Sequence, residues 1–241
     1  MQLVCPSFIF IIALIFCSCE SKTKEAITTA VVDETPTEIS VDEKPKDPIE
    51  ALRLKAECGD ADAQFKLGSS YAVGEGVTQD YAEAEKWYRK AAVQGNSSAQ
   101  SELGFYCING QGISKDTEQG IEWYRKAAEQ GNTYSQLQLG RIYLNGEGAD
   151  KDEARGASYY LRAANGGETY AFSILEDIYR NGKGVPQDNA EAVKWCLKAA
   201  EEGNAIAQSN LGVYYAKGSG IPIDYAEAVK WYRLARIKEM Q

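Results

Sequence analysis

Cysteine has the widest chemical scope of the side chains in this chain, which holds six of them and no histidine. A thiolate can act as nucleophile, metal ligand or disulfide partner. Without histidine, the commonest general base near neutral pH and the commonest metal ligand are both missing. Cys17 and Cys19 fall in "CSCES", directly after the uncharged run Leu3–Phe16, and Cys58, Cys107 and Cys196 are scattered behind them. No metal-ligand cluster and no paired acids at a recognisable spacing emerge, and the adjacent Glu201 and Glu202 read as solvated surface. The stretch "GEGV" at Gly74–Val77 could be taken for a phosphate-cradling loop. The third glycine of G-x-G-x-x-G is absent, however, and no strand precedes it. Its recurrence in five equivalent places marks turn geometry instead. No catalytic residue, cofactor or metal is therefore expected, and the chain is read as non-enzymatic.

The apolar run Leu3–Phe16 is about 14 residues long, short of the roughly 20 that span a bilayer and matched to a signal-peptide core. With small Ser18 before Cys19, the junction resembles the lipobox of a bacterial lipoprotein, in which the cysteine becomes the lipidated first residue of the mature chain. Phe16 stands where that pattern usually has leucine, and no Lys or Arg precedes the apolar run. Cys17 fits less well, because Phe16 is too large for the cleavage position. The other reading is an uncleaved hydrophobic anchor. The resemblance implies a signal peptide over 1–18, lipid on Cys19 and an envelope lipoprotein facing the outer membrane or periplasm. Residues 19–47 show charges, Thr and Pro without a sustained period, as a flexible tether would.

Behind that segment the chain repeats itself. Trp87, Trp123, Trp195 and Trp231 are separated by 36, 72 and 36 residues, and Tyr159 fills the missing multiple. Asp80 returns as Asp116, Asp152, Asp188 and Asp224, and Gly59 as Gly95, Gly131, Gly167 and Gly203. Five copies in one register define units 59–94, 95–130, 131–166, 167–202 and 203–238. Each unit reads as two helices. The first carries an apolar stripe at i, i+4 and i+8, as in Ala63, Leu67 and Tyr71, and ends at a glycine able to go left-handed. The second starts at the recurring aspartate, with Asp80–Glu83, Asp188–Glu191 and Asp224–Glu227 at capping-box spacing. A single pair cannot bury Trp, Tyr and Leu, so neighbouring units must supply each other's core. Ala92, Ala128, Ala164 and Ala200 form a small-residue column that ends at Arg236, where a charge can face water. Residues 48–58 align with half a unit and read as an N-terminal cap.

These motifs, "A…LG..Y..G.GV..D…A..WY..AA..G", resemble Sel-one-like repeats, relatives of tetratricopeptide repeats, over about three quarters of the chain. The resemblance implies an all-α, right-handed α/α superhelical solenoid. It also implies a scaffold or adaptor for proteins, sometimes for cell-envelope components. Unit four departs: Glu176 stands where Gly68, Gly104, Gly140 and Gly212 stand, and Phe172 replaces a glutamine, so a close helix contact is questionable there. Some secreted family members carry a disulfide in each repeat and an attributed penicillin-binding or β-lactamase activity. Their cysteines would fall at the columns of Ala92 and Gln100, where this chain has none. Cys107 and Cys196 instead replace repeat tyrosines and are expected as buried thiols. With Cys19 lipidated, three cysteines remain, too few for a complete disulfide framework.

The expected function is a protein–protein interaction scaffold, acting as a monomer. The competing reading is an enzyme or sensor for peptidoglycan-derived or β-lactam-like ligands. A net charge of −9, from 26 basic and 35 acidic residues, disfavours nucleic acid. About 120° around each first helix from the core lies a second stripe whose chemistry varies. It holds Phe105 and Asn109 in unit two, Tyr134, Gln138, Arg141 and Asn145 in unit three, and Tyr170, Asp177 and Asn181 in unit four. Tyrosine and arginine are common binding hot spots, so this stripe is the candidate peptide surface.

Overall fold

A computed structural model describes residues 47–238; Cys19 and the segment before Asp47 lie outside them. Helix α1 (Pro48–Glu57) opens on the Asp47 cap, whose side chain accepts the Ile49 N–H at 3.0 Å. Five helix pairs follow: α2 (Ala61–Val73) with α3 (Tyr81–Val93), α4 (Ser97–Asn109) with α5 (Thr117–Glu129), and α6 (Thr133–Asn145) with α7 (Glu153–Asn165). The last two are α8 (Tyr170–Asn181) with α9 (Asn189–Glu201) and α10 (Ala205–Lys217) with α11 (Tyr225–Lys238). Among the described residues there is no strand. Each helix packs on the ones before and after it, which makes an α/α solenoid.

Local chemistry sets the boundaries. The first helix of unit one ends at Gly74, whose φ of 79° places it in the left-handed region that glycine enters cheaply. The second opens where the Asp80 carboxylate accepts the Ala82 and Glu83 N–H groups at 2.9 and 3.1 Å, satisfying donors the helix leaves unpaired.

Tryptophan and alanine form the seams. Trp123 on α5 clusters with Ala91 and Ala92 of the preceding unit and with Ala99, Leu103 and Cys107 of its own. Trp87 and Trp195 occupy equivalent clusters. Buried glutamines cross the same seams: the side chains of Gln64, Gln100, Gln136 and Gln208 donate to the carbonyls of Ala56, Ala92, Ala128 and Ala200 at 2.9–3.1 Å. Those carbonyls end helices and lack intrahelical partners. Gln94 and Gln130 in turn donate to the Gln64 and Gln100 oxygens at 2.7 Å. The chain of amides stops at Gly166, which occupies that column in unit three, and the Gln136 oxygen is left buried without a donor.

Within most units, glycine meets tyrosine. A Cβ added to Gly68, Gly104, Gly140 or Gly212 would come within 2.7–2.9 Å of the Tyr88, Tyr124, Tyr160 or Tyr232 ring. In unit four the two sizes are exchanged: Glu176 stands in the glycine column and small Cys196 in the tyrosine column. Phe172, in the glutamine column, lies 5.8 Å from the Trp195 ring.

Cys107 and Cys196 are fully buried free thiols. Cys58, exposed after α1, is disulfide-bonded, so among the described residues no disulfide joins two units. At the far end Arg236 is exposed. Val229 is 46% exposed where its counterpart Val193 is 6% exposed, since no described helix packs beyond α11.

Candidate functional site

The stripe follows from the helix period. Core side chains such as Leu139 and Tyr143 take one side of α6, which turns Tyr134, Arg141 and Asn145 outward, and all three are exposed. Tyr170, Asn109 and Asn181 are exposed as well, whereas Phe105, Gln138 and Asp177 are half-buried. Unit five continues the row with Ile206, so the first position of the stripe reads Tyr134, Tyr170, Ile206 at 43%, 64% and 74% exposure. Three consecutive units therefore hold a large apolar or aromatic side chain in water at one column of the framework.

The polar members form two groups. In unit three, Arg141 donates to Gln138 at 3.3 Å and pairs with Glu147 at 2.8 Å, and Glu147 also accepts from Asn145 at 2.9 Å. In unit four, Asp177 pairs with Lys183 at 2.6 Å and Arg180 at 2.8 Å and accepts from Asn181 at 2.6 Å. Burial works to raise the Asp177 carboxyl, but Lys183 and Arg180 outweigh it and hold it below the ordinary carboxylate range. In unit two, Asn109 donates to the Phe105 carbonyl at 2.9 Å. Glu102, one helical turn from Phe105, is pushed upward by burial. Tyr134 is the anchor best supported from below, its ring 6.3 Å from that of buried Tyr124.

The stripe also borders residues that the sequence reading did not include. A cavity of about 240 Å³ between units four and five is lined by Arg180, Asn210, Val213, Tyr214, Lys217 and Ser219. Asn210, Val213 and Lys217 occupy stripe columns, so extending the 36-residue period by one unit finds them. Arg180 lies off the stripe, in a column that otherwise holds Ala72, Ile108, Leu144 and Ala216. That break in an apolar column was the available signal. Arg180 pairs with buried Glu176 at 3.2 Å, and Glu176 accepts the Tyr214 hydroxyl at 2.5 Å. A second cavity of about 280 Å³, between units two and three, includes Arg141, Glu147 and Lys115 in its lining. Among the described residues no group of three or more His, Cys, Asp or Glu is placed to hold a metal ion. No described helix is long and apolar enough to cross a membrane.

A helix-pair array of this kind defines an α/α repeat solenoid. The Sel1 repeat family matches residues 61–96, 97–132, 133–168, 177–204 and 205–236, and the chain belongs to that family. The fourth match begins only at 177, after Phe172 and Glu176, where unit four departs from the pattern. Among solved structures, the chain is similar to a protective antigen of uropathogenic Escherichia coli strains that displays an SLR fold. The identity is 34% over 79% of this chain, with a TM-score of 0.75, and the match spans 41% of that antigen's length. It is also similar to a Sel1 repeat protein from Oxalobacter formigenes, at 35% identity over 79% of this chain and 77% of the other, with a TM-score of 0.68. No curated protein matches. Arrays of this family serve chiefly as non-catalytic scaffolds for protein–protein contacts.

Proposed function

We propose that this protein is a monomeric, membrane-tethered scaffold that grips a peptide or protein segment along the stripe of its first helices. The observation that carries the reading is the exposed row Tyr134, Tyr170, Ile206 beside Arg141 and the asparagines. Large side chains of this kind supply binding area at low entropic cost when their surroundings are rigid. Replacing Tyr134, Arg141 and Tyr170 together by alanine tests it. Surface substitutions usually change stability by no more than about 0.5 kcal/mol each, so the melting temperature is expected to stay close to that of the parent. Crosslinking in intact cells is expected to capture far less partner. A large fall in melting temperature would make the stripe part of the core, and unchanged capture would move the site elsewhere.

The tether rests on Cys19 and the apolar run before it. Cys19→Ala is expected to release the protein from the membrane fraction or to leave the precursor uncleaved. Mass spectrometry checks this, and a mature chain that begins at Met1 without lipid would overturn it.

A further inference from the structure

A further cavity, of about 770 Å³, does not touch the stripe. It lies between units two and three, where Arg125, Tyr143, Asp150, Lys151, Glu153 and Arg155 form most of its wall. Tyr143 and Arg141 are two residues apart on α6, about 200° around the helix, so the cavity and the stripe open on different sides. Its volume falls in the range of small-ligand sites.

Two guanidinium groups converge on one phenol here. Arg125 donates to the Tyr143 hydroxyl oxygen through Nε at 3.1 Å and through a terminal nitrogen at 2.7 Å. Arg155 lies over the Tyr143 ring, its guanidinium carbon 4.3 Å from the centroid. Tyr143 is only 3% exposed, and its oxygen is used as an acceptor. The phenolic hydrogen has no acceptor among the described residues. Arg125 has one counterion in Glu122, while Arg155 makes no ion pair among the described residues.

The repeat supplies an internal control for Arg155. Its column holds Glu83, Gln119, Glu191 and Glu227 in the other units, and only unit three has a cation. Arg155 is the third residue of α7, in the turn where the helix dipole and the capping box both favour an acid. The helix terminus therefore argues against arginine here, whereas the Tyr143 ring beneath it and an anionic ligand would both favour it.

We propose that this cavity is a carboxylate-binding site, with the ligand carboxylate spanning Arg125 and Arg155 and accepting the Tyr143 O–H. Paired guanidinium groups suit such planar, two-point recognition. Asp150, Asp152 and Glu153 along the rim favour a monoanion over a phosphate dianion, and they accommodate a ligand that also carries an ammonium group. Asp152 is committed as the α7 cap, accepting the Arg155 N–H at 2.9 Å, and Glu153 is paired with Lys151 at 2.7 Å. Asp150 is left facing the ligand's positive end.

The test is a nuclear magnetic resonance titration of the full chain with glycyl-glycine, its C-terminal amide and inorganic phosphate. Glycyl-glycine is expected to give saturable shifts at the backbone amides of residues 149–155, with at least tenfold weaker binding of the amide. Arg155→Glu installs the acid found in units one, four and five. It is expected to melt no lower than the parent and to bind glycyl-glycine at least tenfold more weakly. Tyr143→Phe, which removes one hydroxyl, is expected to weaken binding several-fold and gives an independent reading. Absence of saturable shifts, tighter binding of phosphate than of the dipeptide, or undiminished binding by both variants would overturn the assignment.

Discussion

Trp123→Ala is expected to lower the unfolding free energy by about 3–5 kcal/mol, the range for truncating a large buried aromatic. The indole is 9% exposed and caps a cluster drawn from α3, α4 and α5. Its neighbours Ala91, Ala92 and Ala99 are too small to collapse into the space it leaves, so most of the cavity would persist. The Lys126 ammonium, 4.2 Å from the ring centroid, would lose its aromatic platform as well. The direction of the damage is specific. Trp123 faces the preceding unit, so the seam between units one and two opens first. Stability in such an array is a sum of units and nearest-neighbour interfaces, and the far units keep theirs. Hydrogen exchange should show protection lost chiefly in α3, α4 and α5 and retained in α8 to α11. Uniform loss over all five units, or loss concentrated in α6 and α7, would contradict this assignment of the seam.

The framework was legible in the sequence because every part of it recurs. Asp80 and its four copies announce the second helices, and the glycines after the first helices announce their ends, so no long-range information was needed. The stripe was legible for a related reason. Once Leu139 and Tyr143 are assigned to the core, the 3.6-residue period places Tyr134 and Arg141 outside it. What escaped was pairing across helices. Glu176 and Cys196 each read as an isolated departure, since nothing in the linear pattern says that the Gly68 and Tyr88 columns face each other. The carboxylate-binding cavity escaped likewise. Arg125, Tyr143 and Arg155 come from three helices, and Arg125 reaches the other two only because units two and three stack. Arg155 was still visible as the one cation in a column that otherwise holds three glutamates and Gln119. The amide chain along the seams shows the same limit. Gln64 and Gln94 are 30 residues apart, and only the stacked geometry makes Gly166 the point where it ends.

The swapped pair in unit four makes the second large prediction. Cys196→Tyr alone is expected to be strongly destabilising. The new ring would occupy the space of Glu176, which is 5% exposed, as a Cβ on Gly68 would occupy that of the Tyr88 ring. Overpacking of this kind typically costs about 1–3 kcal/mol, and forcing aside a buried carboxylate adds to it. Glu176→Gly alone is expected to cost about 1–3 kcal/mol, by leaving the buried Tyr214 hydroxyl without its acceptor and Arg180 without one of its partners. The two together rebuild the glycine–tyrosine contact found in the other units, so the ring gains room where the carboxylate was. Their combined effect is therefore expected to fall short of the sum by about 0.5–3 kcal/mol, the coupling seen between residues in contact. Urea unfolding of the parent, both single variants and the double variant closes the cycle. Additive effects would mean that positions 176 and 196 do not share one space, and that unit four holds its two helices together in some other way.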